Sequence, residues 1–142
     1  MKRKASAVWR GDLKSGNGQI STESNVLKDA KYAFTNRFEN TPGTNPEELI
    51  GAAHAGCFSM AFANELSKAG FVPESVSTTA TVNFENIPPA GWSVNAIHLE
   101  THAKVPKITP EKFAEVANAA KTGCPISRLL KTAEITLDAK LV

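Results

Sequence analysis

Two cysteines, Cys57 and Cys124, are the residues of this sequence with the most reactive side chains. A thiolate is both a nucleophile and a leaving group, so each residue could take part in thiol redox chemistry. Cys57 falls in the middle of a predicted helix, where burial would raise its pKa and favour an inert core residue. Cys124 precedes Pro125 at the start of a short predicted helix, whose free N–H groups would stabilise a thiolate. The alternative for Cys124 is a capping residue selected for its size.

The spacing of the cysteines and histidines argues against two other kinds of site. Cysteines 67 positions apart match neither a disulfide-rich secreted domain nor the paired CxxC blocks of a zinc site. His54 precedes Cys57 by three positions on one helix face, but no further ligands complete a metal shell. His98 and His102 lie about 13 Å apart along a predicted strand, too far to hold one ion together. We therefore expect neither a metal nor a cofactor.

The composition sets the class of protein. The chain has 142 residues, of which 42% are hydrophobic and 21% charged, with a formal net charge of +2. These values predict one soluble globular domain over residues 1–142. The basic residues are scattered, which does not favour nucleic-acid binding, and the uncharged stretch from Leu49 to Asn64 is too short to span a membrane. No signal peptide is visible, so we expect a cytoplasmic protein.

Three short strands are predicted in the first 40 residues. The apolar segments are Ala5–Trp9, Gln19–Glu23 and Tyr32–Phe38. Gly16-Asn17-Gly18 is predicted to be the hairpin turn between the first two, because Asn-Gly tolerates positive φ at both central positions.

A long central helix is predicted next. It begins either with Thr44 as the N-cap of a capping box or with Asn45 as the N-cap and Pro46 at the first helical position. It runs to about Lys68, and Gly70 ends it. The small residues in its middle would let another backbone approach closely.

The second half of the chain alternates strands and helices. The pattern predicts strands at Val76–Phe84 and Trp92–Val105 with a bulge near Ala96, a helix capped by Thr109 and ended by Gly123, a short helix over Cys124–Leu130, and a last strand at Ile135–Leu141. This order favours an α+β fold with an antiparallel sheet over a doubly wound parallel sheet.

Two segments closely resemble the OsmC/Ohr family: the run from Gly43 to Ala61, and Gly123-Cys124-Pro125-Ile126-Ser127. Further matches occur at Trp9–Asp12, Ser21–Ser24, Arg37–Glu39 and Ala133–Asp138. The resemblance implies an OsmC-like fold, in which an antiparallel sheet packs on a long central helix, and an intertwined homodimer. The Gly16–Gln19 turn lacks the active-site arginine of the Ohr branch, so the sequence falls on the OsmC side.

The resemblance also implies a function and its residues. Members of the family are thiol peroxidases that reduce organic hydroperoxides, and hydrogen peroxide less well, in stress defence. By this likeness Cys57 is the peroxidatic thiol and Cys124 the resolving thiol that closes a disulfide with it. Arg37 and Glu47 are the supporting charge pair. An external dithiol would reopen the disulfide, and a lipoyl-type dithiol is one candidate because the reductants of the Ohr branch are lipoylated proteins.

Helix geometry adds a constraint on this site. Glu47 and Cys57 are about 15 Å apart along one helix axis and about 80° apart around it, so their side chains cannot meet within one straight helix. Either the helix start is bent or Glu47 reaches a partner subunit's thiol. We also expect an apolar approach to Cys57, lined by Phe38, Phe58, Met60 and Ile126. The rival hypothesis is a non-catalytic small-ligand-binding stress protein in which both cysteines are merely packed.

Overall fold

Helices and sheets occur together in the chain, which confirms the expected α+β class. The computed structural model describes residues 1–39 and 41–142. They form two compact units, Met1–Leu49 and Ile50–Val142, each with one three-stranded sheet.

The first unit contains an antiparallel sheet of three strands in chain order. The strands are β1 (Ala5–Arg10), β2 (Asn17–Thr22) and β3 (Ala30–Ala33). A short helix, α1 (Phe34–Phe38), follows β3 directly.

The turn between β1 and β2 lies earlier than the sequence indicates. Gly16-Asn17-Gly18 is not the turn, because Asn17 pairs with Arg10 and Gly18 lies within β2. The chain reverses over residues 11–16 instead, where the Asp12 carboxylate accepts hydrogen bonds from the backbone N–H groups of Lys14 and Ser15 at 2.9 and 3.0 Å. An aspartate that accepts hydrogen bonds from the backbone two and three residues later favours a turn at its own position.

The predicted strand Tyr32–Phe38 is also wrong in its second half. The strand ends at Ala33, and α1 follows. The rings of Phe34 and Phe38 lie 4.4 Å apart between centroids, a contact that residues four apart make on a helix and not on a strand. Arg37 therefore lies on a helical turn and not on a strand.

The central helix has the predicted limits. Helix α2 spans Pro46–Lys68, and Gly70 follows it with a φ of +87°. Asn45 is the N-cap, since its side-chain oxygen accepts the backbone N–H of Glu48 at 2.8 Å. Within the described residues, no helix is both long and apolar enough to cross a membrane.

The sheet of the second unit is mixed, which corrects the expectation of a wholly antiparallel sheet. Strands β4 (Ser75–Ile87) and β5 (Gly91–Lys104) form a long antiparallel pair. Helices α3 (Pro110–Gly123) and α4 (Pro125–Leu129) follow, and β6 (Glu134–Leu141) then joins β5 in parallel. The helices between β5 and β6 provide the long connection that a parallel pair needs.

Two local predictions in this unit are confirmed. The register of β4 and β5 shifts between Asn83 and Phe84, opposite the segment just before Ala96, where the bulge was expected. Thr109 caps α3, and its side chain accepts the backbone N–H of Lys112 at 3.3 Å.

One buried face of α2 joins that helix to the core of the second unit. Phe58, Phe62 and Leu66 follow one another at intervals of four residues and are fully buried. The Phe62 ring meets the Phe113 ring of α3 edge to face, with centroids 5.3 Å apart. This packing fixes α2 against α3, the two helices that lead to the cysteines.

Candidate active site

The two cysteine sulfurs lie next to each other in the second unit. The Sγ atoms of Cys57 and Cys124 are 3.1 Å apart, and both residues are free thiols. A disulfide bond is about 2.05 Å long, so the sulfurs need to approach by only about 1 Å to be joined. Cys57 is partly exposed, whereas Cys124 is fully buried. A solute can therefore reach Cys57 first, with Cys124 behind it.

The break between α3 and α4 positions Cys124. Its backbone is extended, with φ −56° and ψ 123°, and its N–H donates to Ala120 O at 2.9 Å. The residue before a proline is driven out of the helical region by the proline ring, so Pro125 both ends α3 and starts α4. Cys124 is thus a single extended residue between two helices, and its own thiol contacts that of Cys57.

The surroundings act on the two thiols in opposite directions. Burial raises the pKa of Cys57, and the hydrogen bond shared with Cys124 raises it further, against a smaller effect of the Ile126 backbone N–H. Burial also acts to raise the pKa of Cys124. Hydrogen bonds from the Ser127 backbone N–H, from Cys57 and from the Ser127 hydroxyl outweigh it, and the pKa of Cys124 is lowered. The local hydrogen bonds thus favour a thiolate on the buried sulfur.

A groove of 730 Å³ gives access to Cys57. Met60, which is 77% exposed, and Ile126 line it together with Cys57, as the sequence predicts. Phe58 does not line it, because one step along a helix turns a side chain by about 100° and places this ring in the core. Phe38 lines a different pocket, within the first unit.

The predicted charge pair is formed in the first unit. Arg37 donates to the Glu47 carboxylate from Nη2 at 2.6 Å and from Nε at 3.0 and 3.2 Å. The Glu47 side chain is only 12% exposed, and that of Arg37 is 37% exposed. Two donors on one carboxylate fix the plane of the guanidinium more firmly than a single contact does. The pair joins α1 to the first turn of α2.

Comparison with known proteins identifies the family. A family model described as OsmC-like protein matches residues 38–140. Peroxiredoxin OsmC of Escherichia coli strain K12 is 50% identical over 139 residues, which cover 98% of this chain and 96% of that protein. The chain belongs to the OsmC family.

Solved structures show the same fold. An OsmC-like protein of unknown function from Vibrio cholerae superposes with a TM-score of 0.79 at 15% identity, over 98% of this chain and 99% of that one. The organic hydroperoxide resistance protein OhrB of Bacillus subtilis superposes with a TM-score of 0.74 at 23% identity, over 98% of both chains. The OsmC-like fold expected from the sequence is confirmed.

The sequence did not single out the aromatic pocket beside Arg37 in this OsmC-family chain. The pocket has a volume of 270 Å³, and its lining includes Trp9, Tyr32, Phe34 and Phe38 as well as Arg37. Trp9 and Tyr32 lie on strands β1 and β3, with ring centroids 5.3 Å apart. These two strands flank β2, and Trp9 and Tyr32 both pair with Gly18. A misplaced turn between β1 and β2 hides this register in the sequence.

The contact between His54 and Ser127 was also not predicted from the sequence. The imidazole is fully buried, and its Nε2 lies 2.7 Å from the Ser127 hydroxyl oxygen. The two residues are 73 positions apart, so spacing alone could not join them. Among the residues that the structure describes, no group of three or more His, Cys, Asp or Glu side chains is placed to hold a metal ion.

Proposed function

We propose that this protein is a two-cysteine thiol peroxidase that reduces organic hydroperoxides, and hydrogen peroxide less well. The observation that carries the proposal is the 3.1 Å separation of the Cys57 and Cys124 sulfurs, with the accessible thiol in front of the buried one. The 50% identity to a protein named Peroxiredoxin OsmC supports it. We place the protein in the cytoplasm, because a reducing compartment keeps both cysteines as free thiols. We assign it to stress defence and treat residues 1–142 as one domain.

The reaction divides into two halves. The Cys57 thiolate attacks one peroxide oxygen, the O–O bond breaks, and the alkoxide takes a proton to leave as an alcohol. Cys57 is now a sulfenic acid. Cys124 attacks its sulfur, the S–O bond breaks, and hydroxide leaves as water with the proton that Cys124 has lost. An external dithiol, of the lipoyl type in one hypothesis, reduces the disulfide by exchange and is itself oxidised.

The first half-reaction needs a positive charge near Cys57. An unperturbed thiol is only about 3% thiolate at pH 7, and burial raises the pKa of Cys57 above that of a free thiol. Lowering the pKa from about 8.5 by two units would raise the thiolate fraction about 25-fold at pH 7. We assign this role to Arg37, whose guanidinium can hold the thiolate and still donate to the peroxide oxygens. Glu47 holds the guanidinium in place.

We propose that the Arg37–Glu47 pair of one subunit serves Cys57 of a second subunit in an intertwined homodimer. Helix α2 runs continuously from Pro46 to Lys68, so Glu47 and Cys57 of one chain are about 15 Å apart along its axis. The exposed face of α2 also favours a second copy. It is uncharged at Ala52, Ala53, Gly56 and Met60, and the first three of these residues are also small.

The apolar lining of both units supports an organic substrate. Met60 and Ile126 flank Cys57 in its groove, and aromatic rings flank Arg37 in its pocket. A hydroperoxide with an alkyl or aryl group would bury apolar surface there, which hydrogen peroxide cannot do.

A peroxidase assay tests the proposal. Reduced protein is mixed with cumene hydroperoxide or hydrogen peroxide under excess dihydrolipoamide, and peroxide loss is followed. We expect turnover with a higher kcat/KM for cumene hydroperoxide. Cys57→Ser should be inactive. Without the dithiol, Cys124→Ser should consume about one equivalent of peroxide and stop as a sulfenic acid, with both variants folded. Wild-type activity in Cys57→Ser would contradict a peroxidase that uses Cys57. Thiols that react only after denaturation would favour the ligand-binding hypothesis.

Mixed dimers test the placement of the charge pair. Cys57→Ser chains are combined with Glu47→Ala chains, and the heterodimer is isolated by two different affinity tags. If the pair acts across the interface, the heterodimer keeps one site with no altered residue and one site with both changes. Its activity then exceeds the mean of the two parent homodimers. Activity equal to that mean would place Glu47 in the site of its own subunit.

A further inference from the structure

The buried side chain of His54 contacts Ser127, which lies three residues after Cys124. His54 lies on α2, three residues before Cys57, and none of its surface is exposed. Its Nε2 is 2.7 Å from the hydroxyl oxygen of Ser127, which lies in α4 and is only 5% exposed. Hydrogen bonding from the Ser127 backbone N–H and hydroxyl lowers the pKa of Cys124, three residues earlier in the chain. The imidazole of His54 therefore contacts a hydroxyl that acts on the second thiol.

The unpaired nitrogen of His54 indicates where its proton lies. Nδ1 is buried and has no hydrogen-bond partner among the described residues. Buried N–H groups without an acceptor are rarer in proteins than buried acceptors with a spare lone pair. We therefore assign the proton to Nε2 and leave Nδ1 bare. Burial lowers the pKa of His54, which keeps the ring neutral at pH 7 and preserves this tautomer.

This tautomer decides the direction of the next hydrogen bond. Nε2–H donates to the Ser127 oxygen, so the Ser127 hydroxyl proton is not used on the imidazole. That proton is free to point at the Cys124 sulfur. A hydroxyl that donates to a thiolate stabilises the charged form, and a neutral acceptor histidine would instead turn the hydroxyl away from the sulfur.

We infer that His54 is a positioning residue that orients the Ser127 hydroxyl as a donor to the Cys124 thiolate and so speeds the second half-reaction. The inference rests on the proposed peroxidase function and deepens it. Of the residues that the structure describes, two titratable side chains act on the Cys124 sulfur: Cys57 directly, and His54 through Ser127. Both come from α2, so one helix carries the attacked sulfur and the residue that prepares the attacking one.

The step itself is a condensation. Cys124 loses its proton, and its thiolate attacks the sulfur of the Cys57 sulfenic acid. The S–S bond forms, the S–O bond breaks, and the hydroxide leaves as water with one proton. His54 and Ser127 are unchanged at the end. Their effect is on the fraction of Cys124 that is thiolate, so it belongs to this half-reaction and not to peroxide attack.

Four substitutions test whether His54 acts as a hydrogen-bond donor to Ser127 or only fills space. Ser127→Ala removes the hydroxyl, and His54→Phe keeps a ring of similar size without the donor. His54→Gln and His54→Asn form a matched pair, because only the longer Gln can bring an amide N–H to the position of Nε2. Ser59→Ala is the control, since it removes a 2.8 Å side-chain hydrogen bond to Thr78 from the same helix without touching either thiol.

The two half-reactions are measured separately by single-turnover mixing of reduced protein with one equivalent of cumene hydroperoxide. Trapping with dimedone reports sulfenic acid, and mass spectrometry of quenched samples reports the Cys57–Cys124 disulfide, between about pH 6 and pH 9. We expect Ser127→Ala, His54→Phe and His54→Asn to form sulfenic acid at rates within twofold of wild type. Disulfide formation at pH 7 should slow at least fivefold, and its pH midpoint should rise.

The remaining variants complete the test. His54→Gln and Ser59→Ala should close the disulfide within twofold of the wild-type rate. The double variant His54→Phe/Ser127→Ala should be no slower than Ser127→Ala alone, because His54 acts through Ser127. A wild-type rate of disulfide formation in both His54→Phe and His54→Asn would overturn the inference, as would equal slowing of both half-reactions. If His54→Phe does not fold, the contrast between Gln and Asn decides the matter.

The proposed function can fail independently. If the unmodified protein forms no sulfenic acid with either peroxide, the peroxidase proposal falls, whatever the variants do. If sulfenic acid forms normally and only the variants behave unexpectedly, the peroxidase proposal stands and the role of His54 falls.

Discussion

Closing the Cys57–Cys124 disulfide should stabilise the fold by a measurable amount. The two residues are 67 positions apart, and the entropy lost by the unfolded chain on closing a loop of this length corresponds to about 4 kcal/mol near 25 °C. The native structure loses little of this gain to strain, because the sulfurs are already 3.1 Å apart. The oxidised protein should therefore have an unfolding free energy up to about 4 kcal/mol above that of the reduced protein.

Urea unfolding followed by circular dichroism measures this difference. One sample is oxidised with one equivalent of cumene hydroperoxide and the other is kept reduced, at equal protein concentration because a dimer gains stability with concentration. Cys57→Ser treated in the same way is the control and should show no gain. If mass spectrometry finds the Cys57–Cys124 bond but the unfolding free energy does not rise, the sulfurs are not prealigned in the reduced fold, and the geometric basis of the proposed function is refuted.

Three further predictions follow from the charges and contacts of the site. Arg37→Ala should raise the pKa of Cys57 by more than one unit and slow sulfenic acid formation at pH 7 at least tenfold, with part of the rate recovered at higher pH; Glu47→Ala should do the same to a smaller extent, and an unchanged pKa of Cys57 in Arg37→Ala would contradict the assignment. Met60→Gln should lower kcat/KM for cumene hydroperoxide more than for hydrogen peroxide, since the side chain is 77% exposed in the groove beside Cys57; equal losses for both would remove it from the substrate site. Burial lowers the pKa of His54 from 6.5, so as the pH falls the unfolded state binds a proton before the folded state does. Below about pH 6.5 this group should lower the unfolding free energy by at most about 1.4 kcal/mol per pH unit. His54→Phe should lack that part of the slope in urea unfolding, and identical slopes would contradict the prediction.

Local signals predicted the limits of the long helix α2 better than the position of the first turn. Asn45 and Gly70 mark the ends of α2, and each acts on backbone groups within a few residues, so the sequence contains the whole cause. The first turn was misplaced because two local signals compete there. Asn17-Gly18 fits a two-residue turn, but the Asp12 carboxylate binds the backbone earlier and the pairing of β1 with β2 follows it.

Contacts between distant residues could not be derived from spacing. The parallel pairing of β6 with β5 depends on how the helices between them cross the sheet. The approach of Cys57 to Cys124 depends on α2 packing on α3, and only the resemblance to a family brought the two together beforehand. The wrong prediction for Phe58 has a local cause. Adjacent residues on a helix point about 100° apart, so Phe58 lies in the core although its neighbour Cys57 lines the groove.

The pKa directions of the two thiols suggest why the proposed site needs two sources of thiolate stabilisation. Hydrogen bonds from Ser127 favour the thiolate of the buried Cys124, which never meets the peroxide directly. The accessible Cys57 has its pKa raised by its own surroundings. A single low-pKa environment shared by both sulfurs would not serve, because two thiolates 3.1 Å apart repel each other. Stabilising Cys57 by an arginine brought from a partner subunit, and Cys124 by a fixed hydrogen bond within its own unit, lets each sulfur ionise when its half-reaction requires it. In this proposal, the charge supplied by Arg37 governs the rate of peroxide attack, and the hydrogen bond from Ser127 governs the rate of disulfide closure.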